Sequence, residues 1–244
     1  MRTIEFFNEY HLGDNVHHIT FLRKLCKLTD DSFVYYVHSQ YLDELNKHIV
    51  GFEDRIALRP LALRSSVAYN AWIGEIYYNH PDKFLYDKFY VYWFNYITTR
   101  IYGKCFDIDM YSDYELLSVK VPGYNILIIN SVPASGQFDY NDSFDQTIQQ
   151  LASRYRVITT KKVVGVDCTL DTGMSLVDIG ALAANCDHLV AIETGPHSAC
   201  LNKWTVQNIK SWIVGHNTNS FLYNNSLAVK NMNELINVLH RVYL

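Results

Sequence analysis

SLVDIGALAANCDHLVAIETGPHSACLN, residues 175–202, contains a helix, a strand and the start of a second helix with a turn between them. Ser175 is followed three residues later by Asp178. In that arrangement the two side chains satisfy each other's free helix-start N–H groups. Leu176, Ile179, Leu182, Ala183 and Cys186 then recur at the three- and four-residue spacing of a helix lying on a core. His188–Glu193 reads as a strand that runs into Thr194-Gly195-Pro196, and proline suits the first position of a new helix. Helix, strand and helix in this order predict a parallel sheet covered on both faces.

The pattern extends in both directions. Upstream, Asn125–Asn130 is a buried strand, Ser131–Asn141 a polar loop, and Asp142–Tyr155 an amphipathic helix with Phe144, Ile148, Leu151, Ala152 and Tyr155 inward. Arg156–Thr160 is the next strand. Downstream come a helix, the strand Ser211–Val214 and a final helix, Asn231–Val242. The first third repeats the alternation with strands at 3–10, 32–37 and 55–60 and helices at 15–27 and 41–48. Residues 69–104 are dense in Tyr, Phe and Trp, and 82–100 has helical spacing; a helix packed on the sheet explains it better than a ligand platform. Residues 105–122, with Asp107, Asp109, Asp113 and Glu115, read as a connector whose acids form a solvated surface. The expected architecture is α/β, with two doubly wound lobes, 1–121 and 122–244, and a cleft between them.

Composition narrows the function. The chain has 244 residues, 49% hydrophobic and 19% charged, which fits a folded globular protein. A net charge of -4 and the lack of a basic stripe argue against nucleic acid as a partner. Five scattered cysteines without metal spacing favour reduced thiols and a cytoplasmic setting. No signal peptide is expected, and the aromatic run at 88–97 is too short and too polar to span a bilayer. Peripheral membrane contact stays open, and the sequence indicates no oligomeric state.

Two strand-to-helix turns carry the candidate chemistry, because open α/β sheets bind ligands at the carboxyl ends of their strands. In the first, His11-Leu12-Gly13-Asp14, glycine permits a tight turn. Asp14 either caps the following helix, acts as a base, or does both. His11 is better placed than His17 or His18, for which packing is the plainer role. In the second, Glu193–Ser198, Gly195 admits a ligand close to the backbone. Helix-start N–H groups with the Thr194 and Ser198 hydroxyls would form a phosphate site, with His197 beside it.

HLGDNVHHITFLRKL, residues 11–25, together with residues 175–202, resembles the ADP-heptose:lipopolysaccharide heptosyltransferases and their GT-B relatives. The resemblance implies two Rossmann-like lobes, the first facing an acceptor and the second binding a nucleotide sugar. It makes Asp14 the catalytic base, with Gly13, His11 and Asn15 on the acceptor side. Thr194 and Gly195 become ligands of the donor diphosphate, next to Pro196, His197 and Ser198. Ser135 and Gly136 fall where the family has a further donor-binding loop. Glu193 stands where the family has Asp. The family's lysine in that loop has no counterpart between 131 and 141, so Lys162 or Lys161 would supply its charge. The implied activity, within glycan biosynthesis, moves a sugar from a nucleotide-diphosphate sugar to a glycan or other hydroxyl acceptor. No resident cofactor or metal is expected, since the triplet Asp107-Ile108-Asp109 lies in the connector. The chain is shorter than a typical member. That shortening favours two alternatives, a catalytically silent nucleotide- or glycan-binding module and a nucleotide-sugar hydrolase; the Asp14 turn favours transfer.

Overall fold

The computed structural model describes residues 1–72, 89–106, 108–109, 111–112, 123–134, 136, 138–216 and 226–244. The chain divides into two units, Met1–Glu115 and Leu116–Leu244. The boundary expected at 121–122 lies outside the described residues.

In the first unit, β1 (Thr3–Phe7), β2 (Ser32–Val37), β3 (Ile56–Pro60) and β4 (Tyr69–Asn70) form a parallel sheet in the order β3-β2-β1-β4. Ile4 and Phe6 of β1 point inward on alternate positions, as strand periodicity requires. Helix α1 (Leu12–Leu28) buries Ile19, Phe21, Leu22 and Leu25. It starts three residues before the expected Asn15, and β1 ends at Phe7 rather than Tyr10. A short α2 (Leu42–Asn46) follows β2. The aromatic helix is α3 (Phe89–Tyr102), and its expected beginning at 82–88 lies outside the described residues. It packs on α1, where Phe94 stacks on Phe21 with ring centroids 4.7 Å apart and Trp93 lies 6.0 Å from the same ring. The Arg55 guanidinium donates to the carbonyls of Cys26 and Thr29 at 3.1 and 2.8 Å, satisfying the end of α1.

In the second unit, β5 (Ile126–Ile129), β6 (Val157–Thr159), β7 (Asp167–Cys168), β8 (His188–Ile192), β9 (Ser211–Gly215) and β10 (Ser226–Val229) are all parallel, in the order β10-β9-β8-β5-β6-β7. Helices α4 (Asp142–Ala152), α5 (Leu176–Ala184), α6 (Gly195–Cys200), α7 (Lys203–Asn208) and α8 (Met232–Val242) complete it. The expected reciprocal cap is present: Asp178 N–H donates to Ser175 Oγ at 3.2 Å and Ser175 N–H to Asp178 Oδ2 at 2.9 Å. The core under α4 and α8 joins Ile126, Ile128, Phe144, Ile148, Leu235 and Leu239.

Both sheets reverse their strand order, the first between β1 and β4, the second between β5 and β8. A crevice opens at the carboxyl ends of such a pair, because the following segments leave toward opposite sides.

Candidate functional sites at the two strand-order reversals

At the first reversal, β1 continues into the buried Asn8, whose N–H donates to Tyr36 O at 3.1 Å and whose Oδ1 accepts the Tyr10 N–H at 2.8 Å. Tyr10 stacks on Trp72, just beyond β4, with ring centroids 4.0 Å apart. The chain then enters α1 with His11 at the N-cap position and no side-chain cap there. Gly13 and Asp14 are therefore in the first helical turn, and the expected tight turn at Gly13 is absent. The glycines with positive φ among the described residues are Gly51, Gly103, Gly136, Gly165 and Gly173. Asp14 is the third helical residue, so it does not cap as the N-cap residue would. The His11 backbone N–H lies near its carboxylate and favours the ionised form.

Burial pushes the Asp14 carboxyl up to about 6, against the nearby His11 charge and backbone N–H, which lower it. His11 itself is exposed. Asn15 is wholly buried: its Nδ2 donates to His11 O at 2.7 Å and its Oδ1 accepts from the Tyr35 hydroxyl at 2.6 Å. His17 and His18 are buried as well. His18 packs among Phe6, Tyr35 and Trp93 at 4.9, 4.5 and 5.3 Å, and burial pushes its imidazole down to about 3. It is a core side chain.

The same edge carries a pocket of about 510 Å³ lined by Glu9, His38, Ser39, Leu61, Ala62 and Arg64. Arg64 lies over the Phe7 ring at 4.0 Å, and His38 Nε2 meets Glu9 O at 2.8 Å. These residues escaped the sequence reading. Each lies within a few positions of the end of β1, β2 or β3, and that placement is the signal that could have found them.

At the second reversal, the side chain of Asn130 ties the ends of β5 and β6 together. Its Oδ1 accepts from the backbone N–H groups of Thr160 and Lys161 at 3.1 and 2.8 Å, and its Nδ2 donates to Lys161 O at 3.0 Å. The loop that follows includes Gly136, whose φ of +67° is a left-handed conformation suited to glycine. Ser135 lies outside the described residues. Phe138 anchors the loop over Gly215 at the end of β9. Lys161 places its ammonium 3.7 Å from the Tyr140 ring centroid, whereas Lys162 pairs with Asp171 at 2.5 Å. The charge beside this loop thus comes from Lys161, and that of Lys162 is engaged elsewhere.

After β8, Glu193 lies 3.1 Å from His216 Nε2. Thr194 is the N-cap residue of α6, with Gly195 and Pro196 opening the helix. All three are partly exposed. The Thr194 hydroxyl donates to Ile192 O at 3.3 Å, and no side-chain cap engages the helix. The first N–H groups of a helix have no intrahelical partner, so this edge presents donors to the crevice. His197 and Ser198 turn inward. Trp212 Nε1–H donates to His197 Nε2 at 3.2 Å, burial pushes that imidazole down to about 3, and Ser198 Oγ donates to Thr194 O at 3.4 Å.

Among the described residues, no group of three His, Cys, Asp or Glu side chains could hold a metal ion. Asp109 pairs with Lys24, and Asp107 lies outside the described residues. No helix among them is long and apolar enough to cross a membrane.

No protein-family model matches the chain, and no curated protein matches it in sequence. Solved structures do match. E. coli heptosyltransferase WaaC, with ADP-2-deoxy-2-fluoro heptose, superposes at a TM-score of 0.62 and 12% identity across 99% of this chain and 98% of its own. The iron-containing dodecameric glycosyltransferase TibC from enterotoxigenic E. coli gives 0.56 at 12% identity, over 95% of this chain and 61% of its own. E. coli ADP-heptose lps heptosyltransferase II gives 0.52 at 10% identity, over 100% and 96%. At such identities the likeness is one of fold. The chain has the α/β fold of GT-B glycosyltransferases, as its sequence led one to expect.

Proposed function

We propose that this protein is a glycosyltransferase that uses a nucleotide-diphosphate sugar, with Asp14 as general base and no resident metal. The observation that carries the reading is the parallel pairing of β5 and β8 at the strand-order reversal, from whose carboxyl ends the segments beginning at Asn130 and Thr194 leave. Two backbone-rich segments at one crevice suit a diphosphate, which needs N–H donors and positive charge. Thr194, Gly195 and Pro196 would line it, Gly136 would cover it with Ser135, and Lys161 would add charge in place of Lys162. Neighbours of the same fold are described with ADP and ADP-heptose, which favours an adenine nucleotide here.

The acceptor side would be the pocket lined by Glu9, His38 and Arg64, next to the first turn of α1. In the reaction an acceptor hydroxyl attacks the anomeric carbon while its proton passes to the Asp14 carboxylate. The bond from that carbon to the phosphate oxygen breaks, and the nucleoside diphosphate leaves with the electron pair. A carboxyl raised to about 6 is still ionised at neutral pH and is a stronger base than an ordinary aspartate. Gly13, His11 and Asn15 would shape the helix start around it.

Calorimetric titration with ADP, GDP and UDP tests the donor site. One of them is expected to bind, and Gly195→Val should weaken it at least ~10-fold, about 1.4 kcal/mol, while the protein stays folded. Unchanged affinity in a folded Gly195→Val protein overturns the assignment of the turn. Release of free sugar from a bound donor, with no transfer to any hydroxyl acceptor, would instead identify a hydrolase.

A further inference from the structure

Resting on that reading of Asp14, we infer that Tyr35 is a positioning residue for the base, acting through Asn15 on the start of α1. Two hydrogen bonds tie β2 to the start of α1. The Tyr35 hydroxyl, on β2, donates to Asn15 Oδ1 at 2.6 Å. Asn15 Nδ2 donates to His11 O at 2.7 Å, and Asp14, the residue before Asn15, lies in the helical turn that this bond closes, with the His11 backbone N–H near its carboxylate.

Each link has a reason. α1 has no side-chain N-cap, so nothing at His11 itself fixes where the helix begins. Asn15 takes over that task from inside the helix, because its backbone N–H and its side chain both converge on His11 O, at 3.3 and 2.7 Å. A side-chain amide can point either way round, and only one way presents its NH₂ group to a carbonyl. A phenol that donates from the other side selects that orientation. Both side chains are fully buried, so neither finds a replacement partner in water.

Burial is the largest cause of the raised Asp14 carboxyl, and His11 is the charged group that acts against it. Without the Tyr35 hydroxyl, Asn15 Oδ1 is orphaned, the amide loses its preferred orientation, and the first turn of α1 loosens. Asp14 then gains water and titrates lower.

The test follows the Asp14 carboxyl carbon by NMR through a pH titration of the whole protein, so it needs neither donor nor acceptor. Wild type is expected to titrate near 6. Tyr35→Phe, which keeps the ring against His18, should lower the midpoint to about 5 or less, toward the ordinary aspartate value of about 3.9. Asn15→Ala, which breaks the same chain from the other end, should do likewise, and the double variant should add little. The variants' folding is checked by the near-ultraviolet signal of Trp93 and Trp212. A folded Tyr35→Phe or Asn15→Ala protein whose Asp14 midpoint stays at the wild-type value overturns the inference, because a merely structural role would leave it there. The base assignment fails separately, when Asp14→Asn retains transfer whatever the titration shows. Should Tyr35→Phe fail to fold, Asn15→Ala alone decides the matter.

Discussion

At residue scale the decisive group is Asp14. Its partly enclosed carboxylate is disfavoured in the folded state, so the folded protein binds a proton there more tightly than the unfolded chain. The sign follows from that. Stability attached to this group is present below about pH 4 and lost as pH rises toward 6, so at neutral pH the ionised carboxylate destabilises the fold. Asp14→Asn removes the charge and leaves an oxygen that accepts from the His11 N–H. Transfer should fall by a factor on the order of 10²–10⁴, while the Tm at pH 7 equals or exceeds wild type. The Tm gain should vanish at pH 4. A clear fall in Tm at pH 7 would mean the carboxylate holds the helix start and is not a strained functional group. That Asp14 stands near the start of α1 was legible in the sequence; its place inside the first helical turn was not. Ordinary N-cap residues mark helix starts, and α1 begins instead after His11 with no side-chain cap, its start tied by the Asn15 amide donating to His11 O. No local sequence rule announces that substitution. His197 failed to be legible for a similar reason. Its partner, Trp212, is fifteen residues away on another strand, and only the fold brings them together.

At the scale of elements, strands and helices with strong periodicity appeared close to where the sequence put them, while the shortest strands were not expected at all. β4 and β7 have two residues each, too few to show alternation, and their pairing with β1 and β6 depends wholly on the neighbouring strand. The loop after β5 shows how elements set the site. A Cβ built on Gly215 would lie 2.7 Å from Phe138 Cζ, closer than real atoms approach. The bare backbone at the end of β9 is therefore what lets Phe138 seat the loop that carries Gly136. Phe138 is 3% exposed and the ring is rigid, so it has little room to yield. Gly215→Ala should destabilise the second unit by about 1–3 kcal/mol through overpacking. It should also weaken nucleoside diphosphate binding several-fold, because the loop is displaced with the ring. Denaturant unfolding and calorimetry measure the two effects. Lower stability with unchanged affinity would show that the loop after β5 plays no part in the donor site.

At the scale of the whole molecule, three of the buried histidines among the described residues are held neutral by burial: His18 and His48 in the first unit and His197 in the second. Burial pushes each of them down to about 3. Their folded values lie below the unfolded value of about 6.5, so the unfolded chain takes up protons first as the solution is acidified. The stability they permit is fully present above about pH 6.5 and is lost progressively as pH falls toward 3. This runs opposite to Asp14, and three groups outweigh one. Each histidine contributes a slope of about 1.4 kcal/mol per pH unit inside that window, so moving from pH 7.5 to 4.5 should remove about 2–3 kcal/mol per buried histidine. Because the groups are shared between the units, both should weaken on acidification, and neither should respond to pH between 7 and 8.5 on their account. His18 offers the cleanest check. Neither of its ring nitrogens has a hydrogen-bond partner, and its neighbours Phe6, Phe21, Tyr35 and Trp93 are all rings. Phenylalanine fills that space without a group to protonate, so His18→Phe should shrink the difference in unfolding free energy between pH 7.5 and 4.5 by about 2 kcal/mol, with its largest gain at the acid end. Denaturant titrations at the two pH values, read by tryptophan fluorescence, give that difference directly. A wild-type protein equally stable at both, or a folded His18→Phe protein with an undiminished difference, would show that these imidazoles are reached by water in the folded state.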